Sequence, residues 1–401
     1  MAAGHGIGVY RPRHPERTAF YRLISRYLER YVGTYEERFE PRYGRLRRVV
    51  PRTAEAFLEC GRLQNGFARI RCPQCTGEHL LAFSCQTRNF CPSCQAKRAA
   101  LLGEKVVGEV VAPVSHRHMV FTVPRALRGL FERERRLLGL LSRCAYESVR
   151  RVWVTGFGDE GAVPGMVASI QTFGSYANFH PHIHALVTNG VMTREGEFLP
   201  LPEWTPGVMG EVFRRLVLRE LVRAERVERV ERTMVRPPMA FGVVEETEEG
   251  RVRVQTPVDP RRGERGVELD PLEWVHALGR QVPDPRQHLV RYYGMYANRS
   301  RGTWRSRWRG AGWGSGSGSV PGATDEEVPR PGSRQGSWAR LLRRILEVDP
   351  LLCPRCGARM QVISVITEPR VVDRILAHVR GGNRDPFEER GPPGEGALLV
   401  S

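Results

Sequence analysis

The chain has 401 residues, with 62 Lys and Arg against 44 Asp and Glu and a formal net charge of +18. Such an excess calls for a polyanionic partner, nucleic acid ahead of a merely solvated basic surface, and the length allows two or three domains with cores of ordinary size. No apolar run approaches the roughly 20 residues of a spanning helix, and Met1-Ala-Ala-Gly-His-Gly lacks the charged-then-apolar order of a secretory signal, so a cytoplasmic setting is expected rather than a membrane-spanning or secreted one.

Residues 17–38 place Phe20, Leu23, Ile24, Tyr27 and Leu28 on one stripe with arginines largely opposite, which predicts an amphipathic helix. A cysteine-rich block fills 60–94, and a helix is expected over 95–111. Residues 116–124 predict a strand that stops at Pro124, followed by helix-like sequence from about 125 to 152 with Cys144 in its apolar pattern. The segments 167–173 and 182–191 are strand candidates joined by a polar turn at 174–179. A long helix is expected over 206–230 and a short strand over 252–256. Two more helices are expected over 271–278 and 285–296, the latter with Pro285 at an early helical position. After Gly310 the composition turns Gly/Ser/Pro-rich, including Gly314-Ser-Gly-Ser-Gly-Ser319, which predicts a flexible linker. Beyond it, 338–346 reads as a basic amphipathic helix, 368–380 as another helix, and the last twenty residues as disordered.

Cys72-Pro-Gln-Cys75 and Cys91-Pro-Ser-Cys94, separated by 15 residues, have the spacing of a zinc ribbon. Each turn offers two thiolates, and four complete a tetrahedron. A structural Zn²⁺ in a reducing setting is therefore expected at Cys72, Cys75, Cys91 and Cys94, with Arg69, Arg71, Arg88 and Arg98 free for phosphates. Cys60, Cys85 and His79 are extra: any of them could replace a nominal ligand or join a second ion, and burial alone explains Cys60 and Cys85 as well. Cys353-Pro-Arg-Cys356 is half a site, needing ligands from another segment or subunit, or else a plain reduced turn.

His182-Ile183-His184 puts two imidazoles on one side of a strand, because side chains alternate faces, while Ile183 points to a core. The pair is half of a metal site. His288 and Gln171 are both in position to supply a third ligand. His116-Arg117-His118 has the same spacing around an arginine that anchors poorly in a core, so an edge strand without metal is expected there; His276 and His378 read as structural. Tyr292-Tyr293-Gly294-Met295-Tyr296 sets its outer tyrosines one helical turn apart. Arg299, Arg301, Arg305, Arg307 and Arg309 follow, interleaved with Trp304 and Trp308, a pattern suited to single-stranded DNA, where bases stack and phosphates pair.

Histidine–hydrophobe–histidine followed by a tyrosine pair resembles the HUH endonucleases. The blocks Phe57–Phe67 and Ala82–Cys94, together with His180–Leu186, Tyr292…Tyr296 and Leu351–Met360, are similar to the insertion-sequence 91 family of transposases over most of residues 55–380. The resemblance implies an α+β fold: an antiparallel-sheet HUH nuclease domain with helices, an N-terminal helical and zinc-ribbon domain, and a small C-terminal Cys-x-x-Cys segment. Its divisions would be 1–104, 105–309, a linker at 310–337, and 338–401. It also implies rolling-circle transposition through a 5′-phosphotyrosine. Tyr292 would be the primary nucleophile and Tyr296 its partner, with Mg²⁺ or Mn²⁺ at His182 and His184 and His288 as the third ligand. The expected partner is single-stranded DNA at element ends and target, with a homodimer as a candidate assembly. Three rivals remain: a rolling-circle replication initiator using the same site, a non-catalytic zinc-ribbon DNA-binding regulator, and a metal-dependent hydrolase using water, with the tyrosines in the core and no covalent adduct.

Overall fold

The structure, a computed structural model, describes residues 8–9, 15–174, 178–201, 206–223, 244–255, 266–308, 310, 312–313, 348–349, 351–353 and 355–382. Nearly all of the expected linker, the basic helix at 338–346, Arg309 and the last residues lie outside these.

The expected N-terminal helix runs Ala19–Gly33, opened by Thr18, whose hydroxyl accepts the Tyr21 N–H at 3.2 Å. It buries Leu23, Ile24, Leu28 and Tyr31 against the helices Val49–Leu58 and Pro271–Gln281. The last of these is capped by Asp270, whose carboxylate accepts from the Leu272 and Glu273 N–H groups. Cys60, Cys91 and Cys94 belong to the same apolar cluster. Two antiparallel strands, β1 (Phe67–Arg71) and β2 (Glu78–Ala82), form a ribbon beside it.

The central sheet contains β3 (His116–Thr122), β4 (Gly165–Phe173), β5 (Phe179–Thr188) and β6 (Val290–Gly294). Its order is β6-β4-β5-β3 and every pairing is antiparallel, in keeping with the α+β expectation. One face buries Phe121, Met166, Ala168, Ile170, Ile183, Ala185 and Val187 beneath the helices Leu137–Phe157 and Pro206–Arg223. Each fully buried aliphatic chain such as Ile183 contributes about 1.5–3 kcal/mol. A one-residue slip would expose that whole set, so the register is pinned. The opposite face therefore receives the alternate residues, including His182, His184, Ser169 and Gln171. At one end it is covered by Val106, Val110, Met295, Tyr296 and Trp313.

Two expected helices are revised. The helix-like run from 125 is broken into Arg125–Arg133 and Leu137–Phe157. The helix expected over 285–296 is not formed: Val290–Gly294 is a strand paired along the free edge of β4. Val290, Tyr292 and Tyr293 favour a pleated surface, and the exposed ladder of β4 offers more hydrogen bonds than an isolated short helix would make. Gly294, at φ +59°, ends the strand; a Cβ there would run into the Pro164 carbonyl.

The last strand, β7 (Gln361–Ile366), returns to the N-terminal ribbon and pairs antiparallel with β1, giving the order β7-β1-β2. The helix Pro369–Gly382 follows and packs Val372 and Leu376 on Phe67. No helix among the described residues is long and apolar enough to cross a membrane.

Candidate active site and thiolate clusters

The pleat of β5 brings His182 and His184 together on the open face, with their Nε2 atoms 3.1 Å apart. His182 Nδ1 lies 2.7 Å from the His180 carbonyl, a contact only an N–H can make, so the Nε2 lone pair is left free. His184 Nδ1 faces His118 Nε2 at 2.9 Å, the two rings stacked at 5.1 Å. When His184 donates from Nδ1, its Nε2 lone pair also points to the shared space. Burial holds His184 near 4, with the His182 and His118 rings adding to it, and burial lowers His182 as well; both imidazoles are neutral at pH 7. Two neutral Nε2 donors oriented through their Nδ1 sides could supply two ligands to a divalent cation.

The spacing around Arg117 predicts a metal-free edge position for His118. Its strand is indeed at the sheet edge. Antiparallel pairing with β5 nevertheless lays His118 against His184, a juxtaposition no local pattern encodes. Of the two third-ligand candidates, Gln171 is the direct cross-strand neighbour of His182. His288 is exposed in the loop before β6 and makes no hydrogen bond to the pair. Arg128, on the helix Arg125–Arg133, was not anticipated at all. Its charge reaches His180 and His182, and its buried Nε has no hydrogen-bond partner.

Strand parity separates the tyrosines. Tyr292 pairs with Val167 in β4, which pairs with Leu186 in β5, so Tyr292 shares the face of His182 and His184, two strands away. It is half-buried, and the Arg301 guanidinium sits 5.8 Å from its ring centroid. Burial raises its phenol and Arg301 opposes the rise. Tyr293 points to the opposite face, stacked on Tyr146 at 5.0 Å with its hydroxyl donating to Ser142 Oγ at 3.0 Å. Tyr296 lies past the end of the strand and is fully buried. Its hydroxyl accepts the Ala112 N–H at 3.2 Å and meets His116 Nε2 at 2.6 Å. The expected one-turn spacing of Tyr292 and Tyr296 on a helix is thus replaced by one half-exposed phenol and one sealed one.

The helix Arg301–Arg307 carries the Arg/Trp segment. Trp304 and Trp308 are half-buried against the cluster of Tyr296 and Trp313, so each offers only part of its ring to a base. Buried nitrogens of Arg291, Arg301 and Arg305 lack hydrogen-bond partners, as does that of Arg128. Unmet guanidinium donors are what phosphate oxygens satisfy.

The thiols are grouped differently from the expected quartet. Cys91 and Cys94 converge with Cys60 and Cys85, whereas Cys72 and Cys75 converge with Cys353 and Cys356. All nine cysteines are free. The Cys72 and Cys75 turn is held on the ribbon by the Cys72 N–H to Gly77 carbonyl bond of 2.8 Å. The Cys91 and Cys94 turn instead starts the helix Pro92–Lys105 inside the N-terminal core. Two rigid elements keep the turns apart; the leftover Cys60 and Cys85 were the signal that the first quartet was not the one the spacing suggested.

Residues 27–123 match a family model described as a transposase zinc-binding domain, and residues 165–234 and 222–303 match one described as a putative transposase. The chain belongs to the insertion-sequence 91 family of transposases. The transposase is 24% identical over 370 residues to the transposase for insertion sequence element IS801 of Pseudomonas savastanoi pv. phaseolicola, covering 81% of this chain and 86% of that one. It is 30% identical over 201 residues to the putative transposase y4qJ of Sinorhizobium fredii, covering 47% and 48%. No solved structure matches. The zinc-binding region holds all four thiols of the Cys60 cluster, so structural Zn²⁺ belongs to this transposase, and the family implies a DNA-processing, DNA-binding enzyme.

Proposed function

We propose that the transposase cuts and rejoins single-stranded DNA through a covalent bond to Tyr292. The observation that carries this reading is the common sheet face of Tyr292 and the His182–His184 pair. Tyr292 lies two strands across and opposite Leu186, so its backbone is about 12 Å from that of His184 and about 16 Å from that of His182, gaps that the inward-reaching side chains and a scissile phosphate together span. A divalent cation held by His182 and His184, with Gln171 as third ligand in preference to His288, would draw charge from the phosphate oxygens; imidazole donors suit Mn²⁺ better than Mg²⁺.

The Tyr292 oxygen attacks phosphorus, the new O–P bond forms as the 3′-oxygen–phosphorus bond breaks, and the 3′-hydroxyl leaves with a proton. The phosphotyrosine retains the bond's energy, so a later 3′-hydroxyl reverses the step and joins strands. Arg301 above the Tyr292 ring favours the phenolate, and Arg128 with the Arg301 and Arg305 donors holds the phosphate backbone in line. Tyr296, sealed against His116, serves the first cleavage as scaffold.

The test is incubation with labelled single strands from the element's own ends and Mg²⁺ or Mn²⁺, followed by a denaturing gel and peptide mapping. An adduct on Tyr292, lost in Tyr292→Phe while binding persists, is the expected result. Cleavage without any adduct would replace tyrosine chemistry by hydrolysis.

A further inference from the structure

The Cys72 turn and the Cys353 turn are built alike. In each, the first cysteine's N–H donates across the turn at 2.8 Å, Cys72 to Gly77 and Cys353 to Ala358. Cys72 Sγ lies 3.5 Å from Cys356 Sγ and Cys75 Sγ lies 3.4 Å from Cys353 Sγ, with all four sulfurs within 4.8 Å of one another. A tetrahedron with Zn–S near 2.3 Å sets sulfurs about 3.8 Å apart, whereas a disulfide would need about 2.05 Å. Cys72 and Cys353 are buried together with Ile70 and Met360, and Cys75 and Cys356 close on them from the surface, so the four thiols converge on one point that an ion would fill.

We infer that Cys72, Cys75, Cys353 and Cys356 hold a second zinc ion that clasps the segment 351–382 onto the N-terminal ribbon. Its ligands come from positions up to 284 apart in the chain, and two of them lie outside the matched zinc-binding region. The catalytic sheet is then an insertion between two halves of one metal-held unit. Besides the ion, the clasp rests on the β1–β7 ladder and on the small apolar contacts of Met360, Val372 and Leu376. Cys356 is exposed, while three ligands of the Cys60 cluster are buried in the N-terminal core, so the clasp zinc is the one that leaves first.

The test uses the full-length chain. Zinc is counted per chain by elemental analysis, and amide exchange is followed by mass spectrometry during mild chelation. The expected results are two zinc ions in the wild type and one in Cys353→Ser/Cys356→Ser. Exchange protection should fall in residues 67–71 and 361–382, with the helix Leu137–Phe157 unchanged. Cys356→His, which keeps a zinc ligand, should retain both ions. A single zinc in the wild type, or two in the double serine variant, overturns the clasp. So does chelation that strips one equivalent without loosening residues 361–382.

Discussion

Replacing Tyr296 by phenylalanine tests whether this tyrosine is a nucleophile or a strut. The ring is fully buried beside Trp313 and would stay in place, so the change removes only the hydroxyl. Two groups then lose their partner: the buried Ala112 N–H, 3.2 Å away, and the half-buried His116 Nε2, 2.6 Å away. Leaving buried polar atoms unpaired costs about 1–3 kcal/mol each in the absence of entering water. A loss of about 2–4 kcal/mol is therefore expected, with the melting temperature falling by several degrees. Tyr292→Phe removes a hydroxyl with no hydrogen-bond partner among the described residues and should change stability by less than about 0.5 kcal/mol. The assay pairs denaturant unfolding with gel detection of the covalent adduct. Tyr296→Phe should be less stable yet still form the adduct at a temperature where it is folded, and Tyr292→Phe should be stable and silent. A Tyr296→Phe protein of unaltered stability that forms no adduct would refute the reasoning.

Three other outcomes follow from the same geometry. His118→Phe keeps the stacked ring but removes the acceptor for His184 Nδ1, so Mn²⁺ affinity measured by calorimetry should fall roughly 10–100-fold with the melting temperature little changed; undiminished affinity would show that His118 does not orient the pair. Gly294→Ala forces a side chain into the Pro164 carbonyl and the Tyr146 hydroxyl at φ +59°, and should cost about 2–4 kcal/mol while displacing Tyr292; a neutral effect on unfolding would show that the β6 turn yields easily. His276, stacked on Phe39 at 4.6 Å, is held near 3 by burial and by surrounding arginines, whereas an unfolded histidine titrates near 6.5. Because the folded value is depressed, its stability contribution is intact above about pH 6.5 and is lost as pH falls toward 3, reaching about 2–3 kcal/mol by pH 4.5. His276→Phe should flatten that part of the stability–pH curve, and equal slopes for the two proteins would contradict it.

Local pattern determined a good deal. Alternation alone put His182 and His184 on one side of a strand with Ile183 in the core, because a pleat has a fixed period of two. The stripe of Leu23, Ile24 and Leu28 marked the first helix, and the buried, structural reading of Cys144 and His276 needed only their apolar surroundings. Cys-x-x-Cys spacing announced thiolate metal sites because the ligand geometry of such a turn is set within four residues.

What local pattern could not reach was decided by pairings across the chain. Residues 285–296 satisfy a helical spacing as well as a strand's, and the free edge of β4 chose the strand, which parted Tyr292 from Tyr296. His118 gained its neighbour only through the β3–β5 register. The thiols sorted into Cys60–Cys85–Cys91–Cys94 and Cys72–Cys75–Cys353–Cys356 because β7 returns to β1, while the helix beginning at Pro92 stays in the N-terminal core. A ligand turn specifies how two sulfurs are presented; which other two they meet depends on the packing of elements hundreds of residues apart.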